Sequence, residues 1–493
     1  MNKNTNPNPE PTPINHFAYC HQAADAATSG KDDSISTVLK TIRKMPAADL
    51  NALAETILNI PQVTDGKRTI LSTSILAILV AEHLPELLQA AKLGMTVLNG
   101  AMYVYGGTCW VRVDEKEAQV LLGTAAEQLG VSRGKSRKYK FREELVKQFL
   151  ATYAAASIAP SPSGALINFP NGTLVISEGK EEFRPHDPAD FLTHVLPYRY
   201  DPSATCPQFH NYLNRVLPDS QSRQVTAEFL GWTFLRTLKL EKILVLLGEG
   251  HNGKSVLFDV INALLGEDNI SSVGLKELSK IEYRGPLAGK LLNFGSEISD
   301  RCDADLLKRL ASGEPIEARQ LYENLFIMRS YARLAFNANQ LPREVEQSTG
   351  FFRRFLIVPF TQTITAEEKD PDLARKIIAS ELPGVLNWVL EGMRRLQAAR
   401  KFSDCTASDE ALETYRRESD SVAYFMAEEN WVASEKLKKP KESFYDRYRM
   451  FCFGQGLRAV SAISFGKRLK RFAIPDSKSG NTRYWNVEQN LAA

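Results

Sequence analysis

Cysteine is scarce in this chain: six in 493 residues, at positions 20, 109, 206, 302, 405 and 452, with no C-x-x-C pair among them. That spacing excludes a zinc ribbon and a disulfide framework and suits a reducing compartment, so a cytoplasmic location is expected. Long apolar runs are missing as well. The longest near the N-terminus covers residues 75–81, far short of the ~20 residues a membrane-spanning helix needs, so no membrane association is expected. Charge of one sign is missing too: 61 Lys and Arg against 58 Asp and Glu leave +3, and global charge therefore names no partner. No repeat of fixed period occurs, which excludes solenoids and propellers. Residues 1–15 are polar and rich in Asn and Pro, and are expected to be a disordered tail rather than a signal peptide.

What the chain does contain is a glycine-rich loop between an apolar run and an amphipathic stretch. The run at 243–247 reads as a buried strand, and Gly248, Glu249, Gly250, His251, Asn252, Gly253, Lys254 and Ser255 follow it in the pattern G-x-x-x-x-G-K-S. Glycines there let successive backbone N–H groups turn toward an anion, and the helix opening at Gly253 adds the positive end of its dipole. Lys254 can then reach the β- and γ-phosphates of a nucleotide, and Ser255 can ligate Mg²⁺. Val256, Leu257, Val260, Ile261 and Leu264 share one helical face, and Gly266 stands where a C-terminal cap belongs. ATP with Mg²⁺ is the expected ligand, although the loop alone does not separate a kinase, a transporter and a motor.

Later strands supply what a hydrolytic site needs. One over 290–295 leads to Ser296 and Glu297, and Glu297 is expected to orient the attacking water and to stand near the metal. Another leads to Asn339, a candidate for hydrogen bonding to the γ-phosphate or to that water. Parallel sheets gather ligands at the carboxyl ends of their strands, so these polar groups are expected to form one site. Arg353 and Arg354 introduce a fourth apolar strand, a place for an arginine that reaches a neighbouring subunit's γ-phosphate. Arg354, directly before the strand, is the preferred one.

In order and spacing over residues 244–360, this set resembles the superfamily 3 helicases, and within them the phage and plasmid primase-helicase group that includes the poxvirus primase-helicases. The stretch 166–209, with INFPNGTLVI, RPHDPADFLTH and LPYRYDPSATCPQF, is similar to the domain that precedes the ATPase in that group, and the resemblance covers about two thirds of the chain. It implies a ring-forming DNA helicase, hexameric and moving 3′ to 5′. In it Lys254 and Ser255 hold phosphate and Mg²⁺, Glu297 is the Walker B glutamate and Asn339 is sensor 1. It also implies that residues 306–322, with Arg319 and Tyr322, enter a hairpin that binds single-stranded DNA in the pore of the ring. Two positions depart from the pattern. Ser296 stands where many relatives have a second acid, leaving the metal shell to Ser255, phosphates and water with Glu297 nearby, and Glu314 replaces a common aspartate.

The C-terminal part hides a charge excess: residues 434–483 hold thirteen Lys and Arg against four Asp and Glu. Two amphipathic helices are expected, over 443–451 and 461–472. The second has Ile463, Phe465, Leu469 and Phe472 as its inner face and Lys467, Arg468, Lys470 and Arg471 outward. A strand over 481–487 completes the pattern of a winged helix, expected to bind duplex DNA, with docking to a protein as the alternative. A second basic run, 133–142, places six basic residues among ten positions. It reads as a nucleic-acid contact or, more commonly, as a solvated face.

The expected fold class is α/β, with an AAA-like P-loop ATPase core, a helical N-terminal region and a C-terminal winged helix. The expected division is 1–15 tail, 16–156 helical and mixed domain, 157–225 domain preceding the helicase, 226–400 ATPase, 401–420 linker and 421–493 winged helix. The function expected is that of an ATP-dependent replicative DNA helicase of a phage, plasmid or mobile element, acting as a homo-oligomer. Its rival is an ATP-switched replication initiator that binds DNA without processive unwinding; a small-molecule kinase is disfavoured by the basic tail. The paired-aspartate strand of a primase is missing, since Asp303 and Asp305 fall in a helical stretch. A primase, if one is needed, is expected as a separate chain.

Overall fold

The structure is a computed structural model that describes residues 30–490, apart from 65–66, 99, 155–163, 178, 296–297, 299–302, 321–324, 343–344 and 458. The tail expected at 1–15 lies outside the described residues. The chain forms two compact units, one of Met1–Ser161 with Pro185–Val195 and the other of Pro162–Arg184 with Leu196–Ala493.

The first unit begins with α1 (Gly30–Ile42), α2 (Leu50–Leu58), a short ribbon of β1 (Val63–Thr64) and β2 (Lys67–Arg68), and the long α3 (Thr73–Ala90). An antiparallel meander of β3 (Gly94–Leu98), β4 (Ala101–Tyr105) and β5 (Trp110–Arg112) follows. Its second turn holds Gly106 and Gly107, where the alternation of the sequence calls for a hairpin. Then come α4 (Glu115–Gln128), started by a capping box between Asp114 and Glu117, α5 (Arg133–Ser136) and α6 (Tyr139–Thr152). Leu84, Val104, Leu121, Leu145 and Phe149 are fully buried in one core. Half of the basic run is tied down: Arg133 and Arg137 lie 3.6 and 3.2 Å from Glu127, and Arg142 donates to the carbonyl of Ser136 at 3.1 Å. Lys138, Tyr139 and Lys140 are exposed.

The second unit opens with a meander of β6 (Ala165–Phe169), β7 (Gly172–Ser177) and β8 (Lys180–Arg184), then α7 (Pro207–Val216) and α8 (Ser220–Trp232). The next stretch is β9 (Ile243–Leu247), α9 (Lys254–Leu265), β10 (Ile270–Ser271), β11 (Leu292–Gly295), α10 (Ala304–Ser312), the hairpin β12 (Ile316–Ala318) and β13 (Phe326–Met328), β14 (Arg333–Ala338), α11 (Thr349–Phe352) and β15 (Phe355–Pro359). Five of these strands make one parallel sheet in the order β10-β11-β14-β9-β15. Alternation divides each strand between two cores. Leu244, Leu246, Phe294, Ala335 and Val358 face Leu257, Val260, Ile261 and Leu264 of α9. Val245, Leu334, Phe336 and Ile357 face Leu307 and Leu310 of α10. Both faces are covered, which is why β9 and β15 read as unbroken apolar runs. Each such buried side chain of α9 contributes about 1.5–3 kcal/mol relative to exposure, enough to hold a short helix that would not persist alone.

Helices α12 (Leu373–Ser380), α13 (Leu382–Ala399) and α14 (Thr406–Glu418) complete this core. The boundary expected at 226 falls inside α8. That helix packs on α13 so closely that a Cβ on Gly231 would lie 2.6 Å from the Cβ of Met393, and one on Gly392 would lie 2.4 Å from the Ala227 carbonyl carbon. The linker expected at 401–420 is mostly α14. Its charged composition conceals Tyr415, which packs edge-on against Phe352 and Phe355 at 5.5 and 5.7 Å.

The C-terminal part comprises α15 (Ser421–Glu428), β16 (Trp431–Ala433), β17 (Lys439–Pro440), α16 (Lys441–Gly454), α17 (Ala462–Leu469), β18 (Asp476–Ser479), β19 (Thr482–Trp485) and β20 (Val487–Gln489). Phe425, Phe444, Tyr448, Phe465 and Trp485 form its separate core. The inner face expected for α17 needs correcting. Phe465 and Leu469 are buried, but Ile463 is 74% and Phe472 39% exposed. Residues two apart on a helix point about 200° apart, so Ile463 cannot share a face with Phe465, and a 3₁₀ turn at Lys470–Phe472 swings Phe472 outward. Among the described residues, no helix is long and apolar enough to cross a membrane.

Candidate functional site

The glycine-rich loop leaves the carboxyl end of β9, second from the edge of the sheet, and closes at the first residue of α9. Gly248 is anchored to the next strand by its N–H, which donates to the Ala338 carbonyl at 3.0 Å. A side chain there would collide with Asn252 and with the Phe360 carbonyl oxygen. Gly253 takes φ +84° and brings no acceptor of its own to the start of α9; the Lys254 N–H donates weakly to Asn252 Oδ1 at 3.4 Å, a neutral group, and among the described residues no carboxylate or hydroxyl caps the anion-attracting end of that helix. Around Gly250 a Cβ would meet nothing within 4 Å, so this part of the loop faces open space. His251 also takes positive φ, +60°.

Lys254 is buried. Its ammonium donates to the Gly248 carbonyl, to the Glu249 carbonyl at 3.3 Å and to Asn252 Oδ1 at 3.2 Å, and burial lowers its pKa. The cation is thus held against the loop by neutral acceptors, and among the described residues no carboxylate pairs with it, which leaves its charge for an incoming anion. Asn252 in turn donates to the carbonyls of Glu249 and Phe360. Ser255 is exposed in the first turn of α9, a hydroxyl suited to one place in a Mg²⁺ shell that phosphates and water complete. Among the described residues, no group of three or more His, Cys, Asp or Glu side chains could hold a metal ion by itself.

Asn339 is exposed one residue beyond β14, and the register Ala338 to Leu247 sets it beside the start of the loop. Glu297, two residues beyond β11, lies outside the described residues, as does Tyr322. Sequence reasoning passed over Asn337, which shares the α9 side of β14 with Ala335 by strand alternation and whose Oδ1 is buried without a partner among the described residues. The two-residue spacing from Asn339 was the available signal.

The arginines lie at the opposite end of the sheet. Arg354 pairs its carbonyl with the N–H of Ile243, the first residue of β9, and β15, five residues at ~3.3 Å each, separates it from the loop by roughly 16 Å. Neither arginine therefore reaches the loop 248–255 of its own chain. The preference for Arg354 does not fit its surroundings: it is 8% exposed, donates to the Gly350 carbonyl and to Ser312 Oγ at 2.9 Å, and lies 3.5 Å from Glu241. Arg353, whose side chain is 59% exposed, pairs with the same carboxylate at 2.6 Å.

Arg319 is exposed just beyond β12. In the C-terminal part Lys467, Lys470 and Arg471 are exposed, whereas Arg468 turns inward to Asp420, the N-cap of α15, at 2.8 Å with both groups largely buried. Arg468 thus ties α17 to α15. Neighbouring acids are already engaged: Glu429 by Arg447 at 2.6 Å and Asp476 by Lys441 at 2.5 Å, the latter pairing lowering the Asp476 pKa.

Residues 86–218 match the family described as D5 N terminal like, and residues 246–354 match a family of unknown function, DUF5906. The first match runs from α3 through α7, and the second from within β9 to the residue before β15. Over 339 residues the chain is 24% identical to "Putative helicase L207/L206" of Acanthamoeba polyphaga mimivirus, covering 59% of this chain and 35% of that protein. Over 331 residues it is 21% identical to "Putative helicase 121R" of Invertebrate iridescent virus 3, covering 58% and 34%. The matched part spans about a third of the length of these relatives. Among solved structures, the chain is similar to the apo C-terminal region (305–718) of NrS-1, at TM-score 0.46 and 14% identity over 82% of this chain and 98% of that one. The A form of the same region gives 0.48 at 13% identity with the same coverage.

Proposed function

We propose that this chain, a D5-like member of the superfamily 3 helicases, couples ATP hydrolysis to the separation of DNA strands during replication of a phage, plasmid or other mobile element. The observation that carries the reading is the loop 248–255 at the carboxyl end of a parallel sheet, with Lys254 buried among neutral acceptors and Asn339 beside it. Backbone N–H groups of the loop and Lys254 bind the polyphosphate. Ser255, with Glu297 nearby, holds Mg²⁺, which when bound draws charge from the phosphate oxygens. Glu297 orients the attacking water and Asn339 hydrogen-bonds the γ-phosphate. Subunits assemble in a ring, probing single-stranded DNA with Arg319 and Tyr322 and duplex DNA with the basic C-terminal part, a winged helix.

Two measurements test this. Strand displacement on a forked duplex, with and without a free 3′ tail, is expected to need ATP and the tail; ATP-dependent DNA binding with no displaced strand would favour the initiator reading instead. Glu297→Gln is expected to keep ATP affinity while lowering hydrolysis by about two to four orders of magnitude. Near-normal turnover would move that role to another carboxylate.

The basic C-terminal part gives a further expectation. It has a core of its own, so a chain ending at Ser419 should keep its ATPase while DNA affinity falls. The slope of log K against log salt should flatten by several units, about one for each phosphate that is no longer neutralised. An unchanged slope would assign this part to protein docking.

A further inference from the structure

The loop does not stand alone on its sheet; it is held from behind by α7, a helix outside the 246–354 match. Tyr212 is buried, and its hydroxyl donates to the Gly253 carbonyl at 2.8 Å. One turn on, Val216 packs where a Gly253 side chain would be: a Cβ there would fall 2.6 Å from Val216 Cγ1 and 3.3 Å from the Tyr212 ring. Between them Arg215 makes a two-point contact with Glu368, Nε to Oε1 at 3.0 Å and Nη2 to Oε2 at 2.9 Å, and Nη2 also donates to the Thr363 carbonyl at 2.9 Å. That segment returns to the loop, because the N–H of Ile364 donates to the His251 carbonyl at 2.8 Å and Asn252 reaches the Phe360 carbonyl at 3.3 Å. The second half of the loop therefore sits between α7 and the strap at 360–368, itself clasped to α7.

We propose that Tyr212 is a positioning residue for the phosphate loop, with α7 and the 360–368 strap acting as a brace that fixes the Gly253 peptide; this rests on reading 248–255 as the ATP site. The Gly253 carbonyl also accepts from the N–H groups of Val256 at 3.0 Å and Leu257 at 3.4 Å, the bonds that open α9. Holding it there turns this carbonyl along the helix and away from the anion, which leaves the N–H groups of Lys254 and Ser255 as the ones to face the phosphates. Arg215 is the weaker element, since its pair with Glu368 is about 40% exposed on each side and such pairs add little. The guanidinium nonetheless holds the Glu368 pKa down, to about 2, so the clasp is ionised throughout the neutral range.

The test is Tyr212→Phe in the full chain, with ATP hydrolysis and binding of a fluorescent ATP analogue measured well below the melting temperature. KM and Kd for ATP are expected to rise about ten-fold, the upper range for one lost neutral hydrogen bond, with kcat within about two-fold. Arg215→Gln should raise KM about two- to three-fold, and Arg215→Lys should recover part of that. A purely structural tyrosine would lower the melting temperature and leave KM and Kd of the folded protein unchanged, and that result overturns the proposal. If Tyr212→Phe does not fold, an unchanged KM in Arg215→Gln overturns it in the same way. Lys254→Ala run alongside separates the two readings: if it leaves ATP binding intact, the loop assignment falls and the brace with it, whereas lost binding there with no effect at Tyr212 removes the brace alone.

Discussion

Lys254→Ala is expected to weaken ATP binding by about a hundred-fold or more and to abolish hydrolysis, because it deletes the cation placed to face the β- and γ-phosphates. The structure adds a second consequence. In the free protein the ammonium satisfies the Gly248 and Glu249 carbonyls and Asn252 Oδ1, so its removal loosens the loop as well as removing charge. The two effects separate in a thermal melt. The variant should melt only slightly below the parent without nucleotide, since the core beneath the loop is untouched. With Mg-ATP at about 100 times the parent's Kd, the parent gains roughly 2.7 kcal/mol of stability and the variant should gain almost none. Unchanged ATP binding would rule out 248–255 as the nucleotide site. Lys254→Arg is not a neutral control, because the space among three carbonyl-type acceptors fits a compact ammonium rather than a planar fork.

Local chemistry in this chain was legible where one residue type has one use. The strand 243–247, the turn of the loop and the apolar face of α9 could be read directly, since a strand covered on both faces favours apolar residues and a turn with no room for a side chain at Gly248 and positive φ at Gly253 calls for glycine. Gly266, at φ +84° after α9, is another such position. The misreadings fall where tertiary contacts decide. Residues 401–420 read as a linker from their charges, yet Tyr415 docks α14 on two phenylalanines, with Ala411 and Leu412 packed beside it. The cut at 226 followed a change in pattern, whereas the core continues back through α8 and α7. Arg468 read as an outward base because it lies among Lys467, Lys470 and Arg471, but its partner Asp420 is 48 residues away. Tyr212 could not have been found from the sequence: nothing in PQFHNYLNRV announces that its tyrosine hydroxyl will meet a glycine forty-one residues later.

The choice between Arg353 and Arg354 shows the same limit and leads to the second large effect. Both stand at the amino end of β15, so any contact with nucleotide must be with that of a neighbouring subunit. Arg354 is spent within its own chain, donating to Gly350 and Ser312. Arg353 is solvated and held by Glu241 at 2.6 Å, a pairing that an incoming γ-phosphate with more charge can displace. Arg353→Ala subunits are therefore expected to fold, bind ATP and assemble, yet to hydrolyse about a thousand-fold more slowly, the range for a cation that acts on the transition state from across an interface. Arg354→Ala should instead lose stability, about 2 kcal/mol for charged hydrogen bonds removed from a largely buried site, and its activity should fall with its folded fraction. Mixing decides the matter. Lys254→Ala subunits lack a working loop but keep Arg353, so in a mixed ring they can complete the intact loop of an Arg353→Ala neighbour. ATPase activity of the mixture above the sum of the two parents is the expected result, measured after subunit exchange has been demonstrated by fluorescence transfer between labelled subunits. If exchange occurs and only the Arg354→Ala mixture recovers activity, the buried arginine must swing out on assembly and the assignment reverses. Should neither mixture recover, no arginine at this end of the sheet acts across an interface, and a monomer that hydrolyses ATP at its full DNA-stimulated rate would remove the ring itself.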